Sequence, residues 1–261
     1  MTYRLYTTQL QAGSGVIDET LILLDLWQPG MDSNTLINIA LDSGIFPNIT
    51  FRRLKNLVGE CFKPRYLVQD GAPAYLLKNL KDRLPKQELE QLMFLYTCRA
   101  NTILYDFVTE VYWSAYSSGH NQLSNNDSRD FVTRANQDGK TQKPWSEGTI
   151  NRVAAYLTNS CSDFGLLERA TKSSKQILTF RIQSRVAVIL AYELHFSGLG
   201  DNNVLSNPDW TLFGLDRNDV LDEFKRLALQ DWMIVQTAGD IIQISWNFHS
   251  MEGLTDVLAE K

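Results

Sequence analysis

The segment FRRLKNLVGECFK, residues 51–63, decides the predicted fold. An α-helix turns about 100° per residue, so the apolar residues of this segment fall on one stripe. Arg52, Asn56 and Lys63 lie opposite that stripe, and Arg53 and Lys55 flank it. The pattern predicts a helix that buries one face and presents a polar, basic face outward. The predicted buried residues are Phe51, Leu54, Leu57, Val58 and Cys61.

Two further helices are predicted directly before this one, over residues 16–27 and from about residue 33 to Gly44. Asp32 or Ser33 caps the second helix, because a side-chain oxygen accepts hydrogen bonds from the free amides of the first turn. Gly44 supplies the left-handed residue that commonly ends a helix. Two short helices joined around a glycine, the second one basic outside, are typical of a helix-turn-helix.

The next segments are predicted to build a helical scaffold. Residues 73–84 form one helix, and residues 86–116 form a central core helix or a pair of helices. Residues 117–128, SSGHNQLSNNDS, are rich in turn formers and predict a loop or a domain boundary.

A second basic region follows this boundary. Residues 146–161 predict a helix capped by Ser146, with Arg152 on its outer face. Strand-like alternation around residues 172–175 then predicts a hairpin, and a helix followed by a hairpin is the outline of a winged helix. Lys172 and Lys175 at its tip would lie over phosphates, although an ordinary surface hairpin fits equally well. The same order recurs over residues 218–246, where acidic composition favours packing or protein contact.

These patterns predict a mainly α, bundle-like globular protein with two helix-turn-helix or winged-helix elements and short β-hairpins. The predicted domains are an N-terminal helical domain with the helix-turn-helix, residues 1–118, a loop or connector, residues 119–145, and a C-terminal helical domain with winged-helix-like hairpins, residues 146–261.

Charge is segregated along this chain of 261 residues, whose formal net charge is −5. Residues 50–100 and residues 129–185 each carry ten basic and five acidic residues, whereas residues 186–261 carry four and twelve. Two basic blocks between acidic flanks make local positive surfaces that attract a polyanion. The alternative is that the basic residues pair with acids from other blocks.

Signatures of catalysis are missing from the sequence. His120, His195 and His249 are not spaced with other ligands as a metal site requires, and no HExxH, Walker loop, GxSxG or GxGxxG occurs. We therefore expect no enzyme activity, no metal and no cofactor. The three cysteines lie far apart and are expected to be reduced and buried. The N-terminus lacks the apolar core of a signal peptide, so we expect a cytoplasmic protein without membrane contact.

Three segments resemble the BrxA family of bacteriophage exclusion (BREX) defence systems: YTTQLQAGSGVIDETLILLDLW, ITFRRLKNLVGECFKPRYL and PWSEGTINRVAAYL. Members of that family are small cytoplasmic proteins encoded beside a DNA methyltransferase, an alkaline-phosphatase-like protein and large ATPases. The resemblance implies a largely helical protein that binds double-stranded DNA through helix-turn-helix elements and has no known catalysis. An older proposal likens the family to RNA-binding antitermination factors. The helix-turn-helix role falls here on Arg52, Arg53, Lys55 and Arg152.

The leading hypothesis is a non-enzymatic accessory protein of a BREX system that binds double-stranded DNA, mainly at the phosphate backbone. Its other candidate partners are the methyltransferase, the phosphatase-like protein and the ATPase. The alternatives are a protein-interaction scaffold and an RNA-binding, antitermination-like factor. The residues predicted to contact DNA are Arg52, Arg53, Lys55, Lys63 and Arg65 at one site, and Arg134, Lys140, Lys143, Arg152, Lys172 and Lys175 at the other.

Overall fold

A computed structural model describes residues 5–170, 173–239 and 241–260 of the chain. The fold is mainly α-helical, as predicted, and its described part contains two short antiparallel sheets of two strands each. Contacts divide the chain into two compact units. The first unit comprises residues 1–78 and 93–180, and the second comprises residues 79–92 and 181–261.

Helices form most of the first unit, and two strands accompany them. The elements are α1 (Ile17–Leu26), α2 (Ser33–Asp42), α3 (Phe51–Asn56), α4 (Lys63–Tyr66), α5 (Ala72–Leu80), α6 (Lys86–Ala100), α7 (Thr102–Phe107), α8 (Trp113–Ser117), β1 (Gln122–Ser124), α9 (Asn125–Gln137), α10 (Glu147–Asp163) and β2 (Ser174–Gln176). The last residues of α5 and the first half of α6 belong to the second unit.

Two π-helical segments each join two short helices into one longer helix. Leu57–Phe62 joins α3 to α4, and Val108–Tyr112 joins α7 to α8. Residues 51–66 are therefore helical without interruption. This agrees with the predicted basic helix and extends it to Tyr66.

Most of the predicted apolar stripe of that helix is buried. Leu54, Leu57, Val58 and Cys61 are each at most 1% exposed, but Phe51 is 58% exposed. The prediction that Phe51 joins the core is wrong. Phe51 is the first residue of α3, and a helical side chain leans towards the N-terminus, so its ring projects beyond the end of the buried stripe.

The prediction that residues 119–145 form a loop or connector is wrong, because this segment contains β1 and the 13-residue helix α9. Ser124 accepts a hydrogen bond at 3.3 Å from the Asp127 amide, and Asp127 accepts one at 2.7 Å from the Ser124 amide. Turn-forming residues thus serve as the N-cap of a helix here. The predicted boundaries at 118 and 146 both fall inside the first unit.

We expect Ser124→Ala to lower the free energy of unfolding by about 1 kcal/mol, because it removes this capping box. Urea denaturation checks the value. Ser124→Thr keeps a hydroxyl and is the matched control. An equal loss in both variants would contradict the capping role.

The hairpin predicted after α10 is present in a shorter form. Leu167 bridges Ile177 in antiparallel fashion, and β2 pairs on its other side with β1 in the register Gln122↔Gln176. Residues 166–168, β2 and β1 thus lie side by side, with β2 in the middle. The sequence pattern missed the pairing with β1, which is distant in the chain.

The second unit repeats a helical layout with one longer hairpin. Its elements are α11 (Ser184–Phe196), α12 (Asp201–Leu205), α13 (Arg217–Ala228), β3 (Met233–Ala238), β4 (Ile241–Trp246) and α14 (Met251–Glu260). The acidic helix and hairpin predicted over residues 218–246 are confirmed as α13, β3 and β4. Tyr192 anchors the core, since its hydroxyl donates to the Trp232 carbonyl at 2.6 Å and accepts from the Asn247 amide at 3.0 Å.

Glu223 on α13 is a buried carboxylate in the second unit, only 7% exposed. Its Oε2 lies 3.0 Å from Arg226 Nη1, while Oε1 has no hydrogen-bond partner among the described residues. Burial raises the pKa of Glu223 above its usual range, against the opposing effects of Arg226 and Arg181. The folded protein therefore holds this proton more tightly than the unfolded chain, and stability falls as the pH rises through the raised pKa.

We expect Glu223→Gln to raise the free energy of unfolding at neutral pH by about 1 kcal/mol, since it removes a buried, half-satisfied charge. The gain should vanish as the pH approaches the ordinary carboxyl pKa of 4.5. Urea denaturation of both proteins at the two pH values measures the difference. An equal effect at both values would contradict the assignment.

Candidate nucleic-acid interface

Residues 13–15 lie between the basic helix and the end of α10, and a buried arginine holds them from one side. Arg65 is 2% exposed, and its guanidinium donates to the carbonyls of Gly13 at 2.8 Å and Gly15 at 3.3 Å. The prediction that Arg65 contacts DNA is therefore wrong. Its Nη1 and Nη2 groups donate inside the fold, its Nε is buried without a partner among the described residues, and a phosphate does not reach any of them.

Asp163, the last residue of α10, holds the same segment from the other side. Its Oδ2 accepts from the Ser14 hydroxyl at 2.6 Å and from the Gly15 amide at 2.8 Å. A side chain at Gly15 would place its Cβ 2.6 Å from the Asp163 Cβ, so this approach requires glycine. Arg53 is exposed at the surface, but its guanidinium donates to the Ala12 carbonyl and is partly occupied there.

The outer face of the basic helix is open. Arg52, Lys55, Asn56 and Lys63 are all exposed, as predicted from the periodicity. None of these side chains forms an ion pair or hydrogen bond with another part of the described chain. Their charge and polar groups are available to a partner.

Local capping fixes where this helix begins. The Thr50 hydroxyl accepts from the Arg53 amide at 3.2 Å, and Asp32 caps the preceding helix by accepting from the Thr35 amide at 2.8 Å. Gly44 has φ +63°, the left-handed conformation predicted from the sequence. The connection between α2 and α3 is thus set by short polar residues and one glycine.

The second predicted basic surface centres on α10. Ser146 caps the helix by accepting from the Thr149 amide at 3.4 Å. Arg152 is exposed, and its Nε donates to the Gly148 carbonyl at 3.2 Å along its own helix. Lys143 is exposed in the connection before α10 and has no ion pair within the described chain. These two cations remain accessible.

Lys175 does not belong to that surface. It is 5% exposed, and its ammonium donates to Asn159 Oδ1 and Ser162 Oγ, both at 2.9 Å. Burial lowers the pKa of Lys175 below its usual range. The prediction of a phosphate contact by Lys175 is wrong, because β2 turns this side chain inward against α10. Lys172 lies outside the described residues.

Two other predicted cations have acidic neighbours. Arg134 is exposed and lines an open depression together with Glu110, Asp127 and Asp130. Lys140 is half-buried, and its Nζ lies 3.8 Å from the Glu110 carboxylate. The carboxylates reduce the positive potential of this region, so the structure favours α3 over the Arg134 region as a site for an anion.

Sequence reasoning missed two exposed residues on the basic helix, Phe51 and Asn56, as members of the candidate interface. Both lie beside the predicted cations, Phe51 at the first and Asn56 at the sixth position of the helix. The signal for Asn56 was its position opposite the apolar stripe. Phe51 gave no such signal, because its type and spacing both matched the stripe.

The described part of the chain has neither a cluster suited to a metal ion nor a membrane-spanning helix. Within residues 5–170, 173–239 and 241–260, no cluster of three or more His, Cys, Asp or Glu side chains is placed to hold a metal ion. The helices of that same part of the chain are all too short or too polar to span a bilayer.

The chain matches one family model, and its fold resembles that of a solved structure. The family model described as BrxA matches residues 4–193, well over half of the chain. A crystal structure of an uncharacterized protein from Magnetospirillum magneticum has a TM-score of 0.59 and 16% sequence identity, and the match covers 80% of this chain and 97% of that one. At this identity the likeness concerns the fold alone. The comparison with curated proteins gives no match.

Proposed function

The chain belongs to the BrxA family, which associates it with bacteriophage exclusion defence, and we propose that it acts there as a non-enzymatic protein that binds double-stranded DNA. The contacts are mainly to the phosphate backbone, which positions a protein on a duplex without reading its sequence. The basic helix of residues 51–66 is the principal contact.

The observation that carries this proposal is the open basic face of that helix. The chain has a net charge of −5, so acidic groups outnumber basic ones overall. Arg52, Lys55 and Lys63 nevertheless remain exposed and form no ion pair within the described chain, although Lys63 interacts electrostatically with the Asp32 carboxylate. Charges that the fold does not use internally suit an anionic partner, and a duplex carries one phosphate charge per about 1.7 Å of its axis.

The order of elements around α10 supports the proposal independently. β1, α9 and α10 are followed by residues 166–168 and β2, and β2 returns to pair with β1. This order of strand, two helices and hairpin is that of a winged helix, which docks its second helix on DNA. Lys143 and Arg152 supply exposed cations at that helix. Two such surfaces on one chain extend the length of duplex that it contacts.

Fluorescence anisotropy with a labelled duplex, across a salt series and with two unrelated sequences, tests the function. Five exposed cations are expected to contact phosphate: Arg52, Lys55, Lys63, Lys143 and Arg152. Each phosphate contact contributes about −0.9 to the slope of log affinity against log salt, so we expect a slope of about −4 to −5.

The same assay separates duplex DNA from other partners. Hairpin RNA added as competitor should displace the labelled duplex less effectively than unlabelled duplex DNA, because the deep, narrow major groove of RNA excludes a helix. Absence of saturable binding at low salt, or stronger competition by RNA, would overturn the proposal.

A further inference from the structure

We propose that α3 reads A·T base pairs in the major groove through Phe51 and Asn56. This inference rests on the proposed function and adds base recognition to it.

The exposed residues occupy the beginning of the helix. Phe51, Arg52, Lys55 and Asn56 are its first, second, fifth and sixth residues. At 3.6 residues per turn they point in directions about 0°, 100°, 40° and 140° around the axis, which is a single side. In a helix-turn-helix the N-terminal residues of the second helix meet the base edges. All four side chains are exposed on that side.

Phe51 gives this face an apolar edge. It is 58% exposed, and Leu41 near the end of α2 and Ile45 in the connection to α3 are 37% and 44% exposed. A single exposed apolar group is common on a protein surface, but Phe51 lies beside two exposed cations on one helix face, where the same partner would meet all three. Arg52 and Lys55 both lie on one side of the ring, so the partner has to offer an apolar group to Phe51 and anionic groups to the two cations beside it. The major groove meets both conditions, because thymine methyl groups line its floor and phosphates form its walls.

Asn56 adds a hydrogen-bonding pair to the same face. It is exposed, and its amide has no hydrogen bond to any other described residue. Asparagine is a poor helix former, and Asn56 has no hydrogen-bond partner in the fold. Its presence inside the helix therefore does not stabilise the folded protein. Its oxygen and NH₂ group match adenine N6 and N7, which is the usual bidentate contact to that base. Phe51 and Asn56 thus recognise the two partners of an A·T pair.

Gly59, one turn beyond Lys55, keeps the face flat. A Cβ added there would meet no atom within 4 Å, so packing within the fold does not require glycine. A glycine inside a helix costs about 1 kcal/mol relative to alanine. Its absence of a side chain lets a groove wall approach the helix closely, which is consistent with the proposed docking.

The experiment compares duplexes that differ only in major-groove groups. The affinity for alternating A·T duplexes with G·C ends is compared with the affinity for the same duplexes in which uracil replaces every thymine. This replacement removes only the 5-methyl group. Wild-type protein should bind the thymine duplex about fourfold more tightly for each methyl group that Phe51 covers. Phe51→Ala should bind both duplexes equally. Leu229→Ala, which alters an exposed leucine of the second unit, should keep the wild-type preference.

A second arm tests Asn56 with 7-deazaadenine in place of adenine, which removes the N7 acceptor. The wild type should lose about fivefold or more in affinity on this duplex, whereas Asn56→Ala should show no difference between the two duplexes. Both substitutions replace an exposed side chain of α3, so both variants should retain the wild-type circular dichroism.

The outcomes separate this inference from the proposed function. Equal wild-type affinity for thymine and uracil duplexes, with steep salt dependence retained, would overturn base reading and leave phosphate binding intact. No binding to any duplex would overturn both. A wild-type preference that persists in Phe51→Ala would also overturn the inference, because the preference would then arise from duplex shape rather than from the ring.

Discussion

Joint replacement of Arg52 and Lys55 by glutamate is expected to weaken duplex-DNA binding by about thirtyfold or more at moderate salt. The two exposed cations would lose their phosphate contacts, and two carboxylates would face the phosphates instead. Because two contacts are removed, the slope of log affinity against log salt should become shallower by about 1.8. Anisotropy titrations of both proteins over one salt series give both quantities.

A charge-matched control separates the site from the overall charge. Lys86 and Lys225 are also exposed and lie outside the basic helix, in ion pairs with Glu90 and Asp222. Their joint replacement by glutamate changes the net charge by the same amount but should weaken binding only a few-fold. Equal losses in the two double variants would show that α3 has no special role. Unfolding curves identical to wild type for R52E/K55E confirm that the fold is retained.

Arg65→Ala is expected to lower the free energy of unfolding by about 3–5 kcal/mol. The substitution removes the donors to the Gly13 and Gly15 carbonyls and leaves two buried acceptors and a cavity. Arg52→Ala removes the same side chain at an exposed position of the same helix and should change stability by less than about 0.5 kcal/mol. Chemical denaturation measures both.

Arg65→Lys provides a graded variant if the alanine protein does not fold. Lysine keeps the charge but does not reproduce the fork of the guanidinium, so an intermediate loss of stability is expected. Folded Arg65→Lys should bind duplex DNA with wild-type affinity, because Arg65 lies inside the fold. Reduced affinity together with unchanged stability would contradict the buried, structural role.

Local signals in the sequence predicted the helices well. Asp32 and Ser146 act as caps, Gly44 has a positive φ, and the stripe from Leu54 to Cys61 is buried. Each of these features depends on neighbours within a few residues. The capping box at Ser124 was a local signal of the same kind. Its hydroxyl residue, Ser124, and its acidic residue, Asp127, lie three positions apart, a spacing that indicates the start of α9.

The candidate site was less predictable because its geometry depends on distant partners. Arg65 finds its acceptors about fifty residues earlier in the chain, and β2, which turns Lys175 inward, pairs with β1, which is distant in the chain. Charge alone does not indicate whether an arginine reaches water. One signal was present, however: Arg65 continues the stripe of Val58 and Cys61 at helical spacing, which favoured burial.

The attachment of residues 13–15 also has a consequence for the order of folding. Ser14 and its acceptor Asp163 are 149 positions apart, so their hydrogen bond closes a very long loop. Contacts of this separation form late, because the entropy of closing the loop opposes them until other contacts shorten it. A ribosome adds about 5–20 residues per second, and the nascent N-terminal helices therefore wait about 7 to 30 seconds for Asp163 to be synthesised. The segment that underlies the basic helix is thus among the last parts of the first unit to reach its native place.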